Sequence, residues 1–135
     1  MIILDSSFII AYHNNRDVHH VAASTTMDEI LSGKWGRSLL PEYVFLEVVT
    51  VLLARRGLAT ASAAASTLLQ AREVDFLFCS DIFLDTLDTF RNQARSQFSF
   101  TDAAIVTAAL KQANTAVATF DREFKTIEGI TVVPD

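Results

Sequence analysis

The sequence is poor in the features that organise small secreted or fibrous proteins. It holds one cysteine, Cys79, so no internal disulfide is available and a reducing compartment fits. Four glycines and two prolines in 135 residues exclude collagen-like repeats and Pro- or Gly-rich linkers. Charged residues make up only 20% against 50% hydrophobic, which excludes a disordered chain. Basic residues are the minority, 11 against 16 acidic, for a net charge of −5. That argues against a protein that coats nucleic acid, although not against a nuclease whose acids hold cations. Long hydrophobic runs are also missing. The longest apolar stretch, Val44 to Ala54, is interrupted by Glu47 and Thr50 and falls short of the roughly 20 residues needed to cross a bilayer. No basic segment precedes an apolar one at the start, so no secretory leader is expected. The expectation is a single cytoplasmic domain over residues 1–135 with no membrane attachment, large enough to bury a core without a staple.

Against that background, apolar strand-like runs alternate with helical ones. Met1 to Asp5 reads as a short buried strand. Ser6-Ser7 starts a short helix through Ala11, and Asp17 caps a helix from Val18 to about Leu31, closed by Gly33. Trp35 to Leu39 is a candidate second strand. Pro41 suits the first turn of a helix that runs to Arg56 and stops at Gly57. Val44, Val48, Val51 and Leu52 give that helix its apolar stripe. Leu58 to Thr60 reads as a turn, Thr60 to Arg72 as an alanine-rich helix and Val74 to Cys79 as a third strand. Ser80 or Asp81 caps a helix to about Ala94, and Asp102 to Gln112 is the next. Ala116 to Phe120 and Ile130 to Val133 complete the strands, with a helical turn from Asp121 to Thr126 between them. This alternation predicts an α/β fold with a parallel sheet covered on both faces. In such sheets ligands bind outside the carboxyl ends of the strands.

Four acids fall at that edge or face it: Asp5, Glu47, Asp102 and Asp121. Three have a local explanation. Asp5 stands where it can cap the helix after the first strand, and Asp121 where it can cap the turn from Arg122. Asp102 lies in the first turn of its helix, where the helix dipole favours negative charge by about 0.3–1 kcal/mol. Glu47 has no such explanation. Its neighbours one turn away are Tyr43, Val44, Thr50 and Val51, none able to form an ion pair. Carboxylates converging on one edge repel each other, and a divalent cation relieves the repulsion. Oxygen-only ligands suit magnesium or manganese. Such ions activate water and offset charge in phosphoryl displacement, so the chemistry pointed to is phosphodiester hydrolysis.

In these residues the chain resembles the PIN-domain nucleases, in particular the VapC-like toxins of toxin–antitoxin modules. The resemblance spans essentially the whole length. It rests on Ile3-Leu4-Asp5-Ser6-Ser7, on Leu46-Glu47-Val48, on Ser99-Phe100-Thr101-Asp102-Ala103 and on Thr119-Phe120-Asp121-Arg122-Glu123-Phe124. It implies a three-layer α/β/α sandwich with four to five parallel strands in the order 3-2-1-4-5. It also implies a Mg2+- or Mn2+-dependent endoribonuclease, a homodimer and a neutralising antitoxin. By position, Asp5, Glu47, Asp102 and Asp121 surround the metal. Ser7 holds a site carboxylate, with Ser6 and Thr119 as further candidates for that role.

Other residues carry less. Arg16, Arg37, Arg122 and Lys125 lie in or beside loops and are candidate RNA phosphate contacts or plain surface charges. His13, His19 and His20 read as surface residues near a helix start. The phenylalanines from Phe76 to Phe100 read as core or dimer packing. Competing functions are an RNA-processing nuclease without an antitoxin and a non-catalytic PIN-like scaffold. A haloacid-dehalogenase-type phosphatase needs an acid at position 7, which is Ser7. A receiver domain needs an acid beside Asp5, and none is there.

Overall fold

Five short segments pair side by side because runs of three or four residues cannot satisfy their backbone groups alone, and the three inner ones are wholly buried. In the computed structural model, which describes residues 1–135, the chain runs β1 (Ile2–Leu4), α1 (Ser6–His13), α2 (His20–Leu31), β2 (Ser38–Pro41), α3 (Glu42–Arg56), α4 (Leu58–Gln70) and β3 (Val74–Leu77). It continues through a 3-10 turn (Cys79–Ile82), α5 (Phe83–Arg91), α6 (Phe100–Leu110), β4 (Thr115–Ala118), a second 3-10 turn (Arg122–Thr126) and β5 (Ile130–Val133). The sheet is wholly parallel, in the order β3-β2-β1-β4-β5.

That order has a direct consequence. From β1 the chain steps outward to β2 and β3, then crosses back to β4 on the other side of β1 and steps out to β5. Crossovers between parallel strands are right-handed, so the two directions of travel put helices on opposite faces of the sheet. The packing agrees: α1 packs on α2 and α3, α3 on α4, and α5 on α6. The result is the three-layer α/β/α sandwich. The strand order reverses between β1 and β4, and a crevice opens at their carboxyl ends.

The core lies on both faces of the central strands. Ile2, Ile3, Leu4, Leu40 and Val117 are fully buried, joined by Phe8 and Ile9 of α1, Val44, Val48 and Leu52 of α3, Ile105 of α6 and Phe124. Burying one such side chain is worth roughly 1.5–3 kcal/mol. Helix α6 is buried from Ala103 to Ala109, and its alanines let it lie close to the sheet.

Several element boundaries differ from expectation for identifiable reasons. Helix α2 starts at His20, because Asp17 takes the His19 amide at 2.8 Å and holds the preceding residues in a turn. Strand β2 starts at Ser38, because Gly36 adopts a positive φ of 77° and breaks the extended run after Trp35. Pro41 is the last strand residue, in register with Leu77, and stands just before α3. Strand β3 ends at Leu77, and Cys79 opens a 3-10 turn in its place. Helix α4 takes in Leu58 and Ala59, so Gly57 alone joins it to α3. Gly57 has φ 87° and ψ 174°, a region open essentially only to glycine. Nothing lies within 4 Å of where a Cβ would stand, so the constraint is the backbone and not space. Gly57→Ala is therefore expected to cost about 1–3 kcal/mol in urea unfolding. An unchanged midpoint and slope would show that the α3–α4 junction relaxes freely.

Candidate active site

The crevice at the β1–β4 switch point is built from backbone outward. Asp5 follows β1 and occupies the N-cap position of α1, yet its side chain makes no capping hydrogen bond. The local explanation open to it therefore does not hold. Its Oδ2 instead accepts from Thr119 Oγ1 at 2.6 Å and from Ser7 Oγ at 2.9 Å. The same two hydroxyls take up the chain leaving β4, as Ser7 Oγ accepts from the Phe120 amide at 3.0 Å and Thr119 Oγ1 from the Asp121 amide at 2.9 Å. Ser7 and Thr119 thus knit the ends of β1 and β4 together around one carboxylate. Asp5 is only 3% exposed. Burial pushes its pKa up; the hydroxyls of Thr119 and Ser7 pull it back and the Glu47 charge adds to the rise.

Glu47 borders the apolar stripe of its helix and faces solvent. It is exposed, at the rim of α3, where Val44, Val48 and Leu52 form the buried face. Its Oε1 accepts a very short hydrogen bond from Ser6 Oγ, which ties α3 to the start of α1. Ser6 also lies 3.4 Å from Asp5 Oδ1, so it stands between the two acids. Asp102 does serve as a cap. Ser99 Oγ accepts from the Asp102 amide and Asp102 Oδ2 from the Ser99 amide, both at 3.1 Å, a reciprocal capping box. Asp121 caps as well, its Oδ1 accepting from the Glu123 amide at 2.9 Å.

Capping and clustering turn out to be compatible. Burial raises the Asp102 pKa from 3.8 to about 6; the Ser99 hydrogen bonds oppose the rise, and the charges of Asp5 and Asp121 add to it. Asp102 therefore feels both neighbours, and Asp5 feels Glu47. None of the four acids has a cationic partner, since every ion pair in the molecule lies elsewhere. Each keeps one oxygen with at most a marginal protein contact: Asp5 Oδ1, Glu47 Oε2, Asp102 Oδ1 and Asp121 Oδ2. That donor set, hard oxygens under mutual repulsion, fits a hard divalent cation. The side chains are not drawn into closed ligand geometry: no three His, Cys, Asp or Glu residues are arranged to hold a metal ion.

The remaining candidates separate. Arg122 and Lys125 line a cavity of about 280 Å³ that shares Thr119 and Asp121 with the cluster. Arg16 is exposed in the loop after α1. Arg37 precedes β2, at the opposite edge of the sheet, and its Nε lies 2.8 Å from Asp75. It is not brought to the cluster. On the other side of Glu47, an open cleft of about 460 Å³ runs between α3 and α6, lined by Tyr43, Thr50, Phe100 and Thr101 among others. His20 bonds the Ala11 carbonyl at 2.8 Å and serves the start of α2. His19 lies against Phe120 in the first cavity. Sequence spacing gave no sign of that pairing, because the two rings are far apart in the chain.

A parallel sheet in the order 3-2-1-4-5 with helices on both faces has a counterpart among known families. The chain belongs to the PIN domain family, whose model matches residues 2–130. Its fold is that of the Mycobacterium tuberculosis toxin VapC20, described as cleaving the sarcin–ricin loop. The two share 24% identity with a TM-score of 0.81, over 93% of this chain and 94% of that one. No curated protein matches the sequence. No helix is long and apolar enough to cross a membrane.

The raised Asp102 pKa has a signed consequence for stability. Between 3.8 and about 6 the folded protein keeps a proton that the unfolded chain releases. The stabilisation is therefore complete below 3.8 and lost once pH passes about 6. Asp102→Asn keeps the capping acceptor and removes the charge. It should be more stable than the parent at pH 8, by ~1–2 kcal/mol once solvent screening is allowed for. The gap should close below pH 4, as measured by urea unfolding of the metal-free proteins. A gap independent of pH would mean that neither burial nor the neighbouring acids raise the Asp102 pKa in the folded protein.

Proposed function

We propose that this protein is a Mg2+- or Mn2+-dependent endoribonuclease that acts as the toxin of a toxin–antitoxin pair. The observation that carries the reading is the set of four carboxylates without a cationic partner at the β1–β4 switch point of a PIN domain. In this reading Asp5, Glu47, Asp102 and Asp121 hold the ion through their free oxygens. A bound divalent cation supplies charge neutralisation and a lowered pKa for the attacking water. Ser7 and Thr119 fix the Asp5 rotamer, and Ser6 fixes Glu47. Arg122, Lys125 and Arg16 hold the RNA phosphates, while Arg37, paired with Asp75 at the opposite edge of the sheet, takes no part. The acids cannot bind the phosphates themselves, so the cations beside the cluster must offset the charge of the approaching strand.

The likeness to VapC20 favours the toxin over an RNA-processing nuclease or a non-catalytic scaffold, and it brings ribosomal RNA into the range of targets. A cytoplasmic site of action, a homodimer and a neutralising antitoxin belong to the same reading. Cleavage mapping on total RNA tests it. Wild-type protein with magnesium should cut at discrete positions, and chelation should stop it. Asp102→Asn should lower the rate roughly a hundredfold or more, since even the outer partners of metal ligands reach that figure. Undiminished cleavage by folded Asp102→Asn protein would remove Asp102 from the site. Expression of the intact chain should also arrest growth, and a small protein encoded beside it should relieve the arrest. A harmless chain that still cuts RNA points to the processing role.

A further inference from the structure

Three aromatic rings lead from the core to the surface beside the carboxylates. Phe8 is fully buried. Phe120, half-buried, stacks on it with centroids 6.1 Å apart and planes 25° from parallel. His19 stacks on Phe120 in turn, at 4.2 Å and 9°. His19 is exposed, so one face of its ring lies on Phe120 while the residue remains open to solvent. The ring has no structural duty that explains its place. It makes no capping hydrogen bond at the start of α2, and only its backbone is engaged, the amide with Asp17 and the carbonyl with the Ala23 amide. The column ends in the cavity that also holds Arg122, Lys125 and the Thr119–Asp121 segment. Arg122 is in no ion pair. Lys125 reaches Asp135 at 3.4 Å in an exposed pair, a contact of little worth that a phosphate displaces.

A flat ring anchored from behind, with cations at its side and reactive acids at its edge, matches one kind of ligand. We propose that His19 on Phe120 is a stacking platform for one nucleobase of a single-stranded substrate, with the phosphate of that nucleotide held by Arg122 and Lys125. The platform is a subsite flanking the bond to be cut, and it rests on the ribonuclease reading above. Anchoring by Phe8 and Phe120 gives it low entropy cost, because the ring is already ordered before the base arrives. Stacking tolerates any base, so the subsite contributes affinity and register, and the nitrogens of His19 are available for a bond to the base or ribose.

The test is binding of a fluorescent single-stranded RNA octamer of mixed sequence in an Asp102→Asn background, which slows turnover, with magnesium left out. His19→Ala should weaken binding about fivefold or more with an unchanged thermal midpoint, and His19→Phe should restore it to within about twofold. Placing an abasic nucleotide at each position in turn should reveal one position whose loss matters with His19 and no longer matters with His19→Ala. Equal binding by His19→Ala, or His19→Phe as weak as His19→Ala, overturns the platform. If wild-type protein cuts RNA while His19→Ala binds normally, the subsite alone fails. If wild-type protein neither binds nor cuts RNA, the ribonuclease reading fails and the subsite with it.

Discussion

The structure turns on the carboxylate of Asp5. It is buried at the end of β1, where a lone negative charge is costly. The hydroxyls of Ser7 and Thr119 make it tolerable, and both are committed to the backbone that leaves β4. The carboxylate therefore acts as a clasp between the two strands at which the sheet reverses direction. Loss of either hydroxyl leaves the acid short of a donor and the chain after β4 short of an acceptor. This coupling makes the position of Asp121 depend on the position of Asp5.

Around that clasp the molecule accepts repulsion. Asp102 and Asp5 are both pushed above the usual carboxylate range, each chiefly by burial and further by an acidic neighbour. No lysine or arginine relieves them. Natural domains carry such local conflict where a function requires it and offset it elsewhere. Here the offset is visible: an α6 buried from Ala103 to Ala109, a packed α3 stripe, and a capping box that lets Asp102 support its helix while it faces the other acids. The same residue is a structural cap and a member of the cluster, so the two explanations of such acids are not alternatives.

The pattern of apolar runs was enough to predict the elements, because burial on both faces writes itself into composition. Ile130 to Val133 and the Gly57 stop are read directly. Boundaries were less legible wherever a single contact decides them. Asp17 holds the His19 amide and delays α2; Gly36 delays β2. Glu47 was legible only in part. Helical spacing shows that it has no ionic partner on its own helix, but not that α3 turns it outward to meet Ser6. Arg37 sits in a loop like the other arginines, and only the sheet order reveals that it belongs to the opposite edge.

By itself the sequence determined the class of fold and the chemical type of the cluster, since strand periodicity and side-chain chemistry are local properties of the chain. It also contained the four acids and their order. The tertiary structure alone decided which contacts those acids make: that Asp5 does not cap but clasps Ser7 and Thr119, that Asp102 and Asp121 cap and cluster at once, and that His19 rests on Phe120. The long-range members of that set, Asp5 with Thr119, Asp102 with Asp5 and His19 with Phe120, join residues far apart in the chain, and a contact made by chain reversal leaves no period or spacing in the sequence from which to read it.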